Sequence, residues 1–599
     1  MANMQPVISL NRVSYSYAGQ DTRALDAVDL AIDPGDFVGI VGPSGSGKST
    51  LARVMSGAIP HHFDGDFYGA ALIDGSDSCE ISLTDISRTV GSVSEDVDAQ
   101  MVATSVEDEM LFGLENFAVA RDEIETRIQW ALELVGIVDL RGREIATLSG
   151  GQLQKVAIAS ILALRPRVLV LDEPCAALDP ASAREVFGAL AEINREAGVT
   201  VAVIEQAVAT LSEFCRSILV MDAGRIALAG TTREVFAREA ELRRIGVESP
   251  RVTRVFSGLA KRGLCHPEDV CLSVAEARSM IERIAAGAER EPMRLSSEHR
   301  RRRTRSERES EEKKARRDAP AKSASAPVLV LEGVSYSYPS TGALVRDLDL
   351  EVHPGEIAAI VGRNGAGKTT LTKLVSGLIR PKSGRIVLAG HDTRDMAVSQ
   401  IAGYAATLFQ NPDHQICRNT VLAEVCFGLE LRGISKREAH RRAREVIGDL
   451  DLVETANPFS LPRGSRQMVA LASVIVMASK LIVLDEPTSG LDRRARMIVM
   501  ESVRRMARRG SAVLMVCHDM EVVSDIADRV IVMADGSIAR DDAAADVLAD
   551  RTALARSRVI PPQIVDLADS LAQAGMPDFA GAREPCDIID TVEELISRA

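Results

Sequence analysis

An α/β chain written twice is what these 599 residues predict, on three observations. Short runs of Val, Ile and Leu such as "FVGIVG", "VLVLDEP" and "VTVAVIE" alternate with amphipathic stretches such as "EIETRIQWALELVG", the pattern of a mostly parallel sheet buried under helices. Whole segments also return: "VSYSYAG" at Val13 as "VSYSYPS" at Val334, "GPSGSGKST" at Gly42 as "GRNGAGKTT" at Gly362, and "LVLDEPCAALD" at Leu169 as "LIVLDEPTSGLD" near Leu481. Finally, the length exceeds what one hydrophobic core organises, so at least two domains are expected.

The repeat sets the boundaries. A first α/β domain is expected over 1–240 and a second over 328–555. Each is followed by a small helical extension, 241–288 and 556–599, because "PRVTRVFSGLAKRG" from Pro250 aligns with "PQIVDLADSLAQAG" from Pro562, and "SVAEA" at Ser273 with "TVEEL" at Thr591. Between them, 289–327 carries dense charge of both signs and no apolar period, the composition of a flexible tether.

Composition narrows the class. Apolar residues at 46% and charged residues at 26% fit an ordinary globular chain. No apolar run approaches the roughly 18 residues needed to cross a bilayer. The start, "MANMQPVISLNRVSYSY", lacks a basic region followed by an apolar stretch, so a cytosolic position is expected. A net charge of −14 argues against nucleic acid as a partner. Nine cysteines are scattered with no C-x-x-C pair, and Cys175, Cys417 and Cys517 lie in strand-like or motif segments, which reads as incidental or buried thiols.

Three motifs carry chemistry in each half. G-x-x-x-x-G-K-[ST] spans Gly42 to Ser49 and Gly362 to Thr369. Its glycines let the backbone curl so that N–H groups face phosphates. Lys48 or Lys368 reaches the β/γ oxygens, and Ser49 or Thr369 ligates Mg²⁺. Ser44, Gly45, Gly47 and Thr50, with Asn364, Gly365, Gly367 and Thr370, complete the two cradles. Four apolar residues then end in Asp-Glu-Pro, which suits Asp172 and Asp485 for the Mg²⁺ shell and Glu173 and Glu486 for the attacking water. Last, "LSGGQ" at Leu148 opens a helix, and Ser149, Gly150, Gly151 and Gln152 offer a hydroxyl and bare N–H groups to an anion.

This order of motifs, in both copies, resembles the ATP-binding-cassette (ABC) ATPases. The resemblance implies two P-loop NTPase domains, each with a helical signature subdomain and a C-terminal helical extension, binding ATP with Mg²⁺. It further assigns Gln410 to the Mg²⁺ shell and catalysis, His518 to catalysis, Asp179 and Asp492, after the carboxylates, to ATP binding, and Tyr17 and Tyr338 to stacking on adenine.

In that family two cassettes pair head to tail, here as an internal pseudo-dimer, so each ATP lies between one phosphate loop and the opposite LSGGQ. On that expectation the copies are unequal. The second signature is "LPRGS", where Pro462 removes a backbone donor and Arg463 replaces a glycine. It would face the first phosphate loop, in whose own half Glu95 replaces the family's glutamine and Gln206 its histidine. The second phosphate loop, with Gln410, Glu486 and His518, would face the intact Ser149–Gln152. One site is expected to hydrolyse and the other, with Glu173, to be weak or inactive.

"FQNPDHQICRNTVLAEVCFGLE" and "VDAQMVATSVEDEMLFGLEN" are similar to the groove of energy-coupling-factor ATPases, as are the two extensions. That implies an importer of vitamins or transition-metal ions, peripheral on the cytoplasmic face of the membrane. Its partners would be a transmembrane coupling subunit and a substrate-binding membrane subunit. The alternatives are the ATPase of a conventional ABC transporter and a soluble, ribosome-associated tandem protein.

Overall fold

The computed structural model describes residues 5–176, 178–288, 325–338 and 342–598. Of the tether expected at 289–327, residues 289–324 lie outside the described residues. The chain divides into two units, residues 1–257 with 270–273, and residues 258–269 with 274–599.

Among the described residues the first unit holds ten strands: β1 (Ile8–Tyr17), β2 (Leu25–Ile32), β3 (Phe37–Val41), β4 (Gly65–Ile73), β5 (Ser76–Asp77), β6 (Val90–Val93), β7 (Val168–Asp172), β8 (Thr200–Ile204), β9 (Ser217–Asp222) and β10 (Arg225–Thr231). They form an antiparallel sheet in the order β2-β1-β4-β5 and a six-stranded sheet in the order β10-β9-β3-β8-β7-β6. In the second sheet β9, β3, β8, β7 and β6 are parallel and β10 is an antiparallel edge.

The continuous apolar runs follow from burial on both faces. Val168 and Val170 join the core under the antiparallel sheet with Val38, Ile40 and Leu51. Leu169 and Leu171 point the other way, into a core shared with Val106, Met110, Leu132 and Val156 of the helical subdomain. Side chains that alternate across a strand thus meet two different partners.

The second unit repeats the plan with β11 (Leu329–Tyr338), β12 (Gly342–Val352), β13 (Ile357–Val361), β14 (Ser383–Leu388), β15 (His391–Asp392), β16 (Ala405–Leu408), β17 (Leu481–Asp485), β18 (Ala512–Val516), β19 (Arg529–Ala534) and β20 (Ser537–Ala543). Its sheets run β12-β11-β14-β15 and β16-β17-β18-β13-β19-β20. In each half four neighbouring parallel strands, β3-β8-β7-β6 or β13-β18-β17-β16, end side by side. A crevice at the carboxyl ends of such strands is where open α/β sheets bind ligands.

The second unit also contains most of the first extension. The helix Val274–Ala288 packs against Gln563–Gln573 and Pro585–Arg598. Arg262 pairs with Asp590 at 2.7 Å and with Glu593. Among the described residues no helix is long and apolar enough to cross a membrane.

Candidate functional site

Each phosphate loop leaves its strand directly into a helix, Lys48–Met55 or Lys368–Val375. The turn demands glycine at Gly47 and Gly367, whose φ angles are +97° and +99°. A Cβ there would come within 2.4 Å of the Ala24 carbonyl oxygen or 2.5 Å of that of Leu344. Lys48 Nζ donates to the carbonyls of Gly42 (2.8 Å) and Pro43 (2.9 Å), and Lys368 Nζ to those of Gly362 (2.6 Å) and Arg363 (2.9 Å). Both ammonium groups are therefore folded back over their own loops. Ser44, Gly45, Asn364 and Gly365 form the turns, and Thr50 and Thr370 are buried behind them.

Tyr17 reaches this helix: its hydroxyl lies 3.1 Å from Thr50 Oγ1 and accepts from Arg53 Nη1 at 2.7 Å. Its ring stands edge-on to Tyr15, as Tyr338 does to Tyr336, both pairs at 4.9 Å.

The carboxylates end β7 and β17. Burial raises the pKa of Asp172, Ser49 pulls it down by a hydrogen bond, and the charge of Glu95 pushes it up again. Asp485 is likewise raised by burial and eased by Thr372, whose Oγ1 donates to Oδ2 at 3.2 Å, and by Thr369. Hydroxyl and carboxylate oxygens gathered beside a phosphate loop are the donor set a hard cation such as Mg²⁺ takes. The residues present fit that ion.

The next residue turns sharply. Glu173 and Glu486 have φ angles of +49° and +55°, left-handed backbone that costs a non-glycine residue on the order of 1–3 kcal/mol. Each amide still continues the sheet, Glu173 N donating to Ile204 O and Glu486 N to Val516 O, both at 3.0 Å. That register sets each glutamate beside the second residue after β8 or β18, Gln206 or His518. In the first half Gln206 Nε2 donates to Glu173 Oε1 at 2.8 Å. In the second, His518 Nε2 lies 3.1 Å from Glu486 Oε1.

Electrostatics differ accordingly. The Glu173 carboxyl is pushed up to about 7, first by burial and then by the Glu205 charge, while Gln206 draws it down and Glu95 pushes it up. Glu486 is raised well above the carboxylate range by burial and by Asp485, and eased by Lys368 and the His518 backbone. Gln410 and Glu95 are both exposed on the loops after β16 and β6.

The signature helices start differently. Gly150–Leu162 is capped by a reciprocal pair: Ser149 Oγ accepts from Gln152 N at 3.4 Å, and Gln152 Oε1 accepts from Ser149 N at 3.0 Å. Gly151 lies buried just inside. At Arg463–Ile475 the cap is Pro462, which makes no side-chain bond and has no N–H to give. Asp179 and Asp492 cap the helices Pro180–Ala197 and Arg493–Arg508, accepting from Ser182 N and Ala495 N at 2.9 Å.

Several positioning residues escaped the sequence reading. Gln100 Oε1 accepts from Ser94 N and Gln415 Oε1 from Phe409 N, holding the loops that carry Glu95 and Gln410. Buried Glu109 accepts from the amides of Val102 and Ala103, and Glu424 from those of Cys417 and Arg418. Their identity in both copies was the available signal. Glu205 had none. It replaces buried Cys517, and its carboxylate accepts from the Gln206 amide at 2.8 Å. Cys175 is also buried, whereas Cys417 is exposed.

The sequence profile of the ABC transporter family matches residues 25–176 and 345–489. The chain is similar, at 33% identity over 94% of its length and 96% of the other's, to a protein of Caldanaerobacter subterraneus subsp. tengcongensis described as an ABC transporter ATP-binding protein. It is 34% identical to one of the same description from Methanosarcina acetivorans, covering 95% of this chain and 91% of that one. It is also 31% identical to a Bacillus subtilis protein described as an HMP/thiamine import ATP-binding protein, over 92% of this chain and 94% of that one.

Proposed function

Because this chain belongs to the family of ABC transporter ATP-binding proteins and is an ATPase with two cassettes in tandem, we propose that it is the energy-coupling subunit of an energy-coupling-factor importer for a vitamin or a transition-metal ion. Cassettes of this family bind ATP with Mg²⁺, dimerise and work with transmembrane partners. On this reading the chain lies on the cytoplasmic face of the membrane, bound to a coupling subunit and a substrate-binding subunit. The observation that carries the importer reading is the near full-length likeness to the B. subtilis import protein. The groove segments that follow Glu95 and Gln410 support it. Affinity purification of the tagged chain from detergent-solubilised membranes is expected to bring down two membrane proteins. Co-sedimentation with ribosomes, or association with a single exporter-like partner, would overturn it.

The two sites are proposed to be unequal. Hydrolysis needs a water aligned on the γ-phosphorus, a group to accept its proton, and donors for the charge that develops on the phosphoryl oxygens. The second half supplies these from its own residues: Glu486 Oε1 to orient and deprotonate water, His518 Nε2 beside it, and Lys368 to leave its loop carbonyls for the β/γ oxygens. Thr369, Asp485 and Gln410 would hold Mg²⁺, which neutralises phosphate charge when bound. The intact cap Ser149–Gln152 would complete this site and Pro462–Ser465 the other.

In the first half an amide at Gln206 and an acid at Glu95 stand where a histidine and a glutamine serve the second. Losing one positioned acid–base or electrostatic group costs about 10²–10⁴ in rate. Steady-state ATP turnover of Glu486→Gln and Glu173→Gln tests the assignment. Glu486→Gln is expected to abolish turnover and Glu173→Gln to retain most of it; the opposite result reverses the two roles.

A further inference from the structure

The helix Arg493–Arg508 opens with Arg493, Arg494 and Arg496 and has no acidic residue in its first turn. Cations at a helix N-terminus oppose the helix dipole, so each needs a compensating partner. Arg494 has Asp451 at 2.7 Å. Arg496 Nη1 donates to Asp519 Oδ2 at 3.0 Å. Asp519 is the residue after His518, and its other oxygen, Oδ1, caps the helix Met520–Ile526 by accepting from Glu521 N (3.0 Å) and Val522 N (3.2 Å). One carboxylate thus fixes both sides of the His518 loop. The side chains of Arg496 and Asp519 are 19% and 33% exposed, shielded enough for the pair to hold a geometry that a fully solvated bridge would not.

The first half has neither partner. Ala183 stands where Arg496 does and Ala207 where Asp519 does. In that half the residue matching His518 is Gln206, and the loop is instead held by Glu205, whose buried carboxylate accepts from the amides of Gln206 and Ala207. The ion pair therefore occurs together with the histidine and is absent where the histidine is absent.

We propose that Arg496 is a positioning residue of the hydrolytic site: through Asp519 it fixes the His518 ring against Glu486, and it ties that ring to the helix that Asp492 caps. The inference rests on the reading that the Glu486–His518 site is the one that turns over. It is distinct from that reading, because the first site has a nucleophile-orienting glutamate without this device.

The test is a mutant cycle on the full-length chain, reading kcat and KM for ATP. Arg496→Ala is expected to lower kcat about tenfold with KM within about twofold, the signature of misplacement rather than lost binding. Asp519→Asn, which keeps the cap but not the charge, is expected to match it. The double variant should be no worse than either alone. In a His518→Ala background Arg496→Ala is expected to change nothing further, and Arg496→Lys in the native background to recover much of the rate. An unchanged kcat in Arg496→Ala, or the same tenfold loss repeated on top of His518→Ala, overturns the proposal. Should Arg496→Ala not fold, Asp519→Asn with and without His518→Ala decides in the same way. Glu486→Gln in the same assay separates the two claims. Turnover surviving in it removes the assignment of the sites, whereas turnover lost in it with Arg496→Ala neutral removes only the positioning role.

Discussion

Glu173 and Glu486 are carboxylates that folding places where ionisation is unfavourable, one residue beyond Asp172 or Asp485, Glu486 buried and Glu173 half-buried. A base that is to accept a proton near neutral pH gains from such a shift. The same shift is a stability cost. With the Glu173 carboxyl pushed from 4.5 up to about 7, the folded protein holds a proton between those values that the unfolded chain has released. Stability therefore falls as pH rises through that window and stays lower above it, by about 3 kcal/mol. Glu173→Gln keeps an oxygen for Gln206 and removes the charge. Urea unfolding of the nucleotide-free protein is expected to show it more stable by up to about 3 kcal/mol at pH 8, with the gain fading towards pH 4.5. A gain independent of pH would mean that burial is not what raises this group.

Two helices of equal length at matching places in the repeat, Gly150–Leu162 and Arg463–Ile475, start differently. Their cap residues share a backbone: Ser149 at φ −74°, ψ 159° and Pro462 at φ −56°, ψ 153°. What Pro462 loses is therefore chemical, the N–H and the hydroxyl of a reciprocal cap, not the path of the chain. Pro462→Ser with Ser465→Gln is expected to rebuild that cap and stabilise the second half by about 1 kcal/mol, read as a rise in its thermal unfolding midpoint. This contrast was legible in the sequence because a capping box spans four consecutive residues. The bond from Gln467 Nε2 to the Glu486 carbonyl at 3.4 Å was not, since it joins a helix to a strand end nineteen residues away. Gln154 holds the matching place in the first half, with its Nε2 buried and making no hydrogen bond.

At the scale of the whole molecule, the repeat is not two closed copies. Residues 258–269 and 274–288, written after the first cassette, share a unit with the second. Arg262, between Asp590 and Glu593, is a charged contact there, and Ile589 packs so closely on Gly258 that a Cβ at that position would lie 2.3 Å from it. Arg262→Glu would set three acids together, and faster hydrogen exchange in 274–288 than in the wild type is the expected result; unchanged exchange would leave the apolar contacts as the whole of the attachment. By itself the sequence determined the two α/β halves, both phosphate loops, both Asp-Glu strand ends and the broken second signature. Each of these is a contiguous run whose local physics suffices: a glycine turn, an apolar strand, a helix cap. Tertiary structure alone decided which side chains meet at those runs. The strand order β3-β8-β7 sets Gln206 and Glu205 beside Glu173, and its counterpart β13-β18-β17 sets His518 beside Glu486, because hydrogen-bond register between parallel strands joins residues more than thirty positions apart that no spacing rule connects.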